Sequence, residues 1–352
     1  MKNLSLIILS IFLIAFSSCD VHEEPSRIEE TFDFELTLNF NTALPLHKVV
    51  TYTRSAEKLP DIRYVIKVYK VKGENDDSRI ENQTFIFSRP YSSNPDYSVR
   101  LPLPAGSYRF RVWTDYVDAG SQADKYYTTS DFAAISLDKN DIHHGSTEYR
   151  DAFKGNVYGI VYDCNLYVYE NGNFPPNRAT VDMSRPMGRH EFISTDLEEF
   201  LDRVYKTRVD DTENFRGWQG LSPSQIAENI NLDDYTVVFR YNAFMPSTYN
   251  HFMNFNGDSA TGVTYESKMK ITDEGMQMGF DYVFTPDETE MNLSMEVYNT
   301  EGELIALTGS VKVPVANSKN TIVKGEFLSA ISSGGVSVNP GFDGDDFNIE
   351  IR

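Results

Sequence analysis

The chain has 352 residues, with 52 acidic against 32 basic side chains, a net charge of −20, and aromatic residues make up 13% of it. That length favours two domains of about 150 residues each. The charge repels phosphate backbones and anionic lipid headgroups alike, which excludes nucleic acid as a partner and leaves membrane attachment to something other than the protein surface.

The chain opens with Lys2 and an apolar run from Leu4 to Phe16, followed by Ser17, Ser18 and Cys19. A positive start, a short apolar middle and a small-residue exit form the pattern of a secretory signal peptide over residues 1–18, and the run is too short to span a bilayer with anchors on both sides. Phe16-Ser17-Ser18-Cys19 resembles a bacterial lipobox, which implies cleavage before Cys19 and acylation of that cysteine. Acyl chains would then hold the protein to the membrane. Acylation also leaves Cys164, the second of two cysteines, without a disulfide partner, so the fold rests on packing. Residues 19–30 carry Asp20, Glu23, Glu24, Glu29 and Glu30 with no hydrophobic period, and read as an acidic tether. Acidic residues just after the lipidated cysteine resemble the surface-export signal of Bacteroides-type lipoproteins, which implies a surface-exposed outer-membrane location.

From Thr31 the apolar positions repeat every second residue: Phe32, Phe34, Leu36, Leu38 and Phe40 alternate with Asp33, Glu35, Thr37 and Asn39. This spacing predicts a strand with one apolar and one wet face. Similar runs follow at 62–71, 84–87, 97–101, 108–116 and 157–162, separated by turn residues such as Lys72 to Asp77 and Pro104-Ala105-Gly106. Short strands with no helices between them predict an all-β fold, an antiparallel sandwich over residues 31–180. The Gly- and Pro-rich break between Glu170 and Arg189 marks a boundary, with a second sandwich over 181–352. Near its start, Thr195-Asp196-Leu197-Glu198 has the form of a capping box, and Leu197, Phe200, Leu201, Val204 and Tyr205 follow at helical spacing, predicting a helix near 195–207. Ser222-Pro223 predicts the start of a second helix near 223–230.

No catalytic or metal constellation can be assembled. His22, His47, His143, His144, His190 and His251 have no metal-ligand spacing, and His143 and His144 cannot both face one ion from one strand. Phosphate loops, nucleophile elbows and zinc-binding helices are missing from the sequence, so no cofactor, no metal and no enzymatic activity are expected. Asp343-Gly344-Asp345-Asp346 reads as a solvated turn before the last strand rather than a calcium loop. The richest polar and aromatic group is Trp113, Asp115, Tyr116, Asp118, Asp124, Tyr126 and Tyr127. Such a group is either an aromatic core beneath an acidic loop or a stacking platform for sugar rings, with Trp113, Asp115, Tyr116, Tyr126 and Tyr127 as the contacts. Cys164 has no basic neighbour and reads as an inert thiol.

Two resemblances extend this reading. Leu101-Pro102-Leu103-Pro104-Ala105-Gly106-Ser107-Tyr108-Arg109-Phe110-Arg111-Val112-Trp113 resembles a strand pair of the fimbrillin and fimbrial-anchor lipoproteins of Bacteroidales. Residues 112–120, Asp151-Ala152-Phe153, Phe280-Asp281-Tyr282-Val283-Phe284 and Gly341-Phe342-Asp343-Gly344-Asp345 are similar to a lipoprotein family of gut Bacteroides relatives with no established activity, over nearly the whole mature chain. The fimbrial resemblance implies two transthyretin-like sandwiches and a fimbria-like anchor, accessory subunit or adhesin, joined to β-sandwich partners by strand addition. Cleavage after Arg27 or Arg54 would suit a polymerising subunit, whereas a retained lipid and first strand suit an anchor. The alternative function is a glycan-binding lipoprotein of a nutrient-uptake system, using the Trp113 platform. Asp258-Ser259-Ala260 resembles a Bacteroides-type O-glycosylation acceptor, which implies modification at Ser259.

Overall fold

A computed structural model describes residues 29–40, 59–92, 94, 96–137, 143–166, 175–208, 217–218, 221–222, 225–226, 230–329 and 346–350. The leader through Ser18, Cys19, Arg27, Arg54, Asp343 to Asp345 and most of the expected second helix lie outside the described residues.

The first nine strands are β1 (Thr31–Phe40), β2 (Asp61–Lys70), β3 (Glu81–Pro90), β4 (Tyr97–Pro104), β5 (Gly106–Val117), β6 (Tyr127–Thr128), β7 (Ile135–Leu137), β8 (Phe153–Val161) and β9 (Arg178–Met183). Seven of them make one sandwich, with sheets ordered β4-β1-β9 and β3-β2-β5-β8. Alternation turns Phe34, Leu36, Leu38 and Phe40 inward, and Phe34 stacks on Phe110 of β5 with ring centres 4.8 Å apart. Tyr64, Ile66 and Val68 of β2 and Val99, Leu101 and Leu103 of β4 share that core.

Thirteen further strands follow: β10 (Met187–Ser194), β11 (Thr236–Tyr241), β12 (Met245–Pro246), β13 (Thr248–Asn250), β14 (Phe255–Asn256), β15 (Ser259–Ala260), β16 (Thr264–Ser267), β17 (Lys270–Thr272), β18 (Gly275–Phe284), β19 (Glu288–Tyr298), β20 (Leu304–Ala316), β21 (Asn320–Gly325) and β22 (Asp346–Glu350). The second sandwich has sheets ordered β17-β18-β10-β21-β22 and β16-β11-β19-β20. Helix α1 (Leu197–Arg208) leaves β10 and buries Phe200, Leu201 and Val204, the positions its spacing indicates. Asp196 accepts the backbone N–H groups of Leu328 and Ser329, tying the helix entrance to the segment after β21. At Ser222 the Oγ accepts from the Gln225 N–H while the Ser222 N–H donates to Gln225 Oε1, a reciprocal cap on the short turn there.

Both sandwiches are mixed rather than wholly antiparallel. β9 runs parallel to β1, β21 parallel to β10 and β22 parallel to β21. In the first sandwich the chain returns its last strand beside its first in the same direction, which places β1 in the middle of its sheet between β4 and β9. None of the described helices is long and apolar enough to cross a membrane.

The outward face of β2 and β5 is also buried. Residues 61–69 are all covered, including Arg63 and Lys67 at positions the alternation assigns to water. The cover is the excursion from β5 to β8, which carries β6 and β7, together with β13 and β14 from the second sandwich. These four strands make one small sheet, ordered β14-β13-β7-β6, with Thr248 opposite Ser136 and Tyr249 opposite Ile135. The first sandwich is thus capped by a layer built from both halves of the chain.

Candidate functional site

The aromatic and acidic group expected to form a sugar platform lies inside this capped region. Trp113, Asp115 and Tyr127 are 0%, 1% and 0% exposed, and Tyr116 and Tyr126 are buried as well. Trp113 packs edge-on against Tyr127, with centres 5.4 Å apart, and also meets Tyr249 and Phe284 of the second sandwich. Asp115 accepts from Arg63 Nε at 2.8 Å and Nη2 at 2.6 Å, and from Trp113 Nε1 at 3.1 Å. Arg63 stands opposite Asp115 on the neighbouring strand, and its Nη1 reaches Asp124 at 2.7 Å. Asp118 pairs with Lys125 at the surface. The stacking platform is therefore not formed: the cap that lies over β2 and β5 encloses these rings, and Arg63, a position the alternation assigns to solvent, supplies the counter-charge.

The densest polar cluster joins the two sandwiches. Residues 143–150 leave the first and dock on β18. The Ser146 N–H donates to the Phe280 carbonyl at 2.8 Å, and Ser146 Oγ accepts from the Phe280 N–H at 3.1 Å. The approach is close because Gly145 and Gly279 have no side chains. A Cβ on Gly145 would sit 2.1 Å from the Tyr265 ring, and one on Gly279 would sit 2.5 Å from Phe239.

At the centre lies Asp281, fully buried. Its carboxylate accepts from Arg150 Nη1, from Tyr241 Oη at 2.7 Å and from the Tyr282 N–H at 2.8 Å, and His143 Nε2 lies 2.6 Å away. Burial pushes the Asp281 carboxyl up, but Arg150 and His143 outweigh it and hold the group well below the usual carboxylate range. Behind Tyr241, His190 Nε2 lies 3.0 Å from its hydroxyl, and burial pushes this imidazole down to about 4. Two further pairs flank the centre. Arg185 binds Asp151 through Nε at 2.8 Å and Nη2 at 2.7 Å, and Arg189 lies between Glu191 and Glu148, whose other oxygen accepts from Tyr282 Oη at 2.7 Å. Asp151-Ala152-Phe153 and Phe280 to Phe284, two of the motifs that carry the family resemblance, are the two sides of this joint.

An Asp, two His and a Tyr in contact resemble an acid–base centre, but the group is sealed and its hydrogen bonds are internal. Beside it a cleft of about 750 Å³ opens between Gly145 to Tyr149 and β16 to β18. Two of the charged groups on its walls are engaged: Lys268 Nζ donates to the Asp233 and Tyr235 carbonyls and to Thr236 Oγ1, and Glu148 is held by Arg189 and Tyr282. Among the described residues no group of three or more His, Cys, Asp or Glu is placed to hold a metal ion.

The strand expected at 84–87 is β3, and its place at a sheet edge is not evident from the sequence. It lies at the edge of its sheet and pairs only with β2, so its other side is unpaired among the described residues. Ile86 is 40% exposed, and Phe85 and Phe87, half-buried, lie parallel with centres 6.4 Å apart. In Thr84-Phe85-Ile86-Phe87 the two phenylalanines alternate inward, and Ile86 puts an apolar side chain on the other face. Of the remaining expected positions, Ser259 is exposed on the β12–β15 ribbon, and Cys164 is a half-buried free thiol whose sulfur lies 3.7 Å from the Tyr162 carbonyl.

The family model described as a family of unknown function, DUF6562, matches residues 30–352. None of the curated proteins matches the sequence. Among solved structures, a candidate cell adhesion protein from Bacteroides ovatus is 11% identical, with a TM-score of 0.39, covering 92% of this chain and 96% of its own. A candidate polysaccharide binding protein from Bacteroides thetaiotaomicron is 12% identical, with a TM-score of 0.39 and 79% of each chain covered. The fimbrial anchor protein Mfa2 from Porphyromonas gingivalis is 11% identical, with a TM-score of 0.35, covering 79% of this chain and 82% of its own.

Proposed function

We propose, for a chain that belongs to the family of unknown function DUF6562, the role of a non-enzymatic, lipid-anchored surface protein that holds a β-rich partner by strand addition. The observation that carries this reading is β3. A ten-residue edge strand presents a row of main-chain donors and acceptors with no partner among the described residues, and the exposed Ile86 offers apolar contact beside it, while Phe85 and Phe87 seat the strand on the core. A natural edge of that length is normally blunted by charge or proline, and here the middle of the strand has neither.

The rest of the chain fits a fixed support. Cys19 after Phe16-Ser17-Ser18 supplies the acyl anchor, and the acidic tether suits display on the outer face of the outer membrane. β1 is the central strand of its sheet and fills the core with Phe34, Leu36 and Leu38, so loss of β1 after a cut at Arg54 would open the first sandwich. That favours an anchor, accessory subunit or adhesin that keeps its first strand over a polymerising shaft subunit. Ser259 is the O-glycan acceptor in this reading. No glycan-binding role is assigned to the enclosed Trp113 group.

Pull-down of the full chain from membranes in mild detergent is expected to recover a β-rich partner, and an Ile86→Lys variant of unchanged stability is expected to lose it. Recovery of the lipoprotein alone from cells at several growth stages would overturn the assembly role.

A further inference from the structure

One strip of this acidic protein is cationic and has no ion pairs among the described residues. Arg109 and Arg111 lie two residues apart on the outward face of β5, about 7 Å along the strand, and Lys154 of β8 stands opposite Trp113, the next outward position. Arg79 reaches the same strip from the turn before β3. Among the described residues none of these four cations has a carboxylate within ion-pair distance, although the chain carries a net charge of −20.

The strip is recessed and lined with rings. Phe252, from the turn after β13, lies under two guanidinium groups, Arg111 at 4.4 Å and Arg79 at 4.8 Å. Arg109 lies 5.9 Å above Tyr158 of β8, and Lys154 Nζ donates to Asn254 Oδ1 at 2.9 Å. Arg111 is only 9% exposed and bonds the His251 carbonyl at 3.1 Å, a neutral partner. Burial, reinforced by Arg109 and Arg79, lowers the Arg111 pKa, and burial with Arg111 does the same to Lys154, the signature of cations held together without compensation. The carboxylate whose field reaches Arg111 is Asp77, in the exposed turn before Arg79.

We propose that Arg79, Arg109, Arg111 and Lys154, with Phe252 and Tyr158, form a binding strip for an acidic polysaccharide bearing carboxylate or sulfate groups. Cations spread over two strands and a turn call for several anionic groups on one ligand rather than a single ion. The rings hold the guanidinium groups in place by cation–π contact and so keep the charges spread along the strip. A flat anionic bilayer does not reach Arg111 in its recess, and the overall charge repels such a surface. The strip is separate from the β3 edge, and its role does not depend on strand addition.

The test is retention of the full chain, in mild detergent, on immobilised polygalacturonate and heparin, with dextran as the neutral control. An Arg79→Ser/Arg109→Ser/Lys154→Gln variant, whose unfolding midpoint is checked against the parent, removes the exposed Arg79 and the half-buried Arg109 and Lys154 and leaves the buried Arg111 in place. The parent is expected to bind at low salt with affinity that falls steeply as salt rises, and the variant is expected to bind at least tenfold more weakly. Absence of parent binding, or equal binding by the variant, overturns the strip. Binding of the same strength to poly-glutamate or to phosphatidylglycerol vesicles overturns the polysaccharide assignment, because charge alone then accounts for it.

Discussion

The joint and the β3 edge are opposites in how they place charge and apolar surface. At the joint, Asp281, Arg150, Asp151 and Arg185 are inside, away from water, and each meets its counter-charge. At β3, Ile86 faces outward, opposite the core-packed Phe85 and Phe87, and among the described residues the backbone has no partner on one side. Burying charge is unfavourable unless the partners are well aligned, so a buried ionic cluster rewards one arrangement of the two sandwiches and penalises the others. Exposed apolar residues on an open edge are unfavourable until something covers them. The first region is complete within the chain, and in the proposed role the second is completed by association.

The comparison breaks most severely if one joint charge is removed alone. Asp281→Ala leaves Arg150 buried without its carboxylate, and an unfolding titration in urea should show a loss of about 3–5 kcal/mol. Acid should act at the joint, through His190, and in the cap over β5, where His251 bonds the Val112 carbonyl. His190 and His251 are both pushed down to about 4 by burial. Their folded pKa lies below the unfolded value, so the unfolded chain takes up protons first as the pH falls. Stability should be complete above about pH 6.5 and fall between there and about pH 4, by up to about 3 kcal/mol for each histidine. Asp281, with its folded pKa lowered, has the usual carboxylate sign: its contribution is present above about pH 4 and is lost as the pH drops below that value. Equilibrium unfolding at a series of pH values checks both signs.

A smaller change sharpens the geometric side. Gly279→Ala places a methyl against Phe239, and the overpacking should lower stability by about 1–3 kcal/mol, measured by thermal melting. Smallest on stability, and largest on association, is Ile86→Lys: at an exposed edge it should change unfolding by less than about 0.5 kcal/mol while abolishing partner recovery.

The inward faces of the strands were legible because one turn of the backbone decides them. Phe34, Leu36 and Leu38 of β1 fall on one side by alternation, and Phe200, Leu201 and Val204 of α1 share a face by helical spacing. What covers the outward face is not a local property. Arg63 and Lys67 look like solvated positions until the β5–β8 excursion and the β13–β14 turn fold over them, and no pattern within β2 announces that layer. The parallel pairing of β1 with β9 is hidden for the same reason, since it depends on where the chain returns. The Asp151-Ala152-Phe153 and Phe280 to Phe284 motifs stood out as residues, yet their task needed the two halves side by side. Asp281 reads as one acidic residue in an aromatic strand, and only the docked Arg150 shows why a charge belongs there.

Scanning calorimetry of the parent and of Asp281→Ala shows whether buried ion pairs fasten the two sandwiches into one body. The parent is expected to melt in one cooperative transition, with calorimetric and van't Hoff enthalpies in agreement, and the variant in two separated transitions. Two resolved transitions in the parent, or a variant that still melts in a single unshifted step, would contradict that fastening.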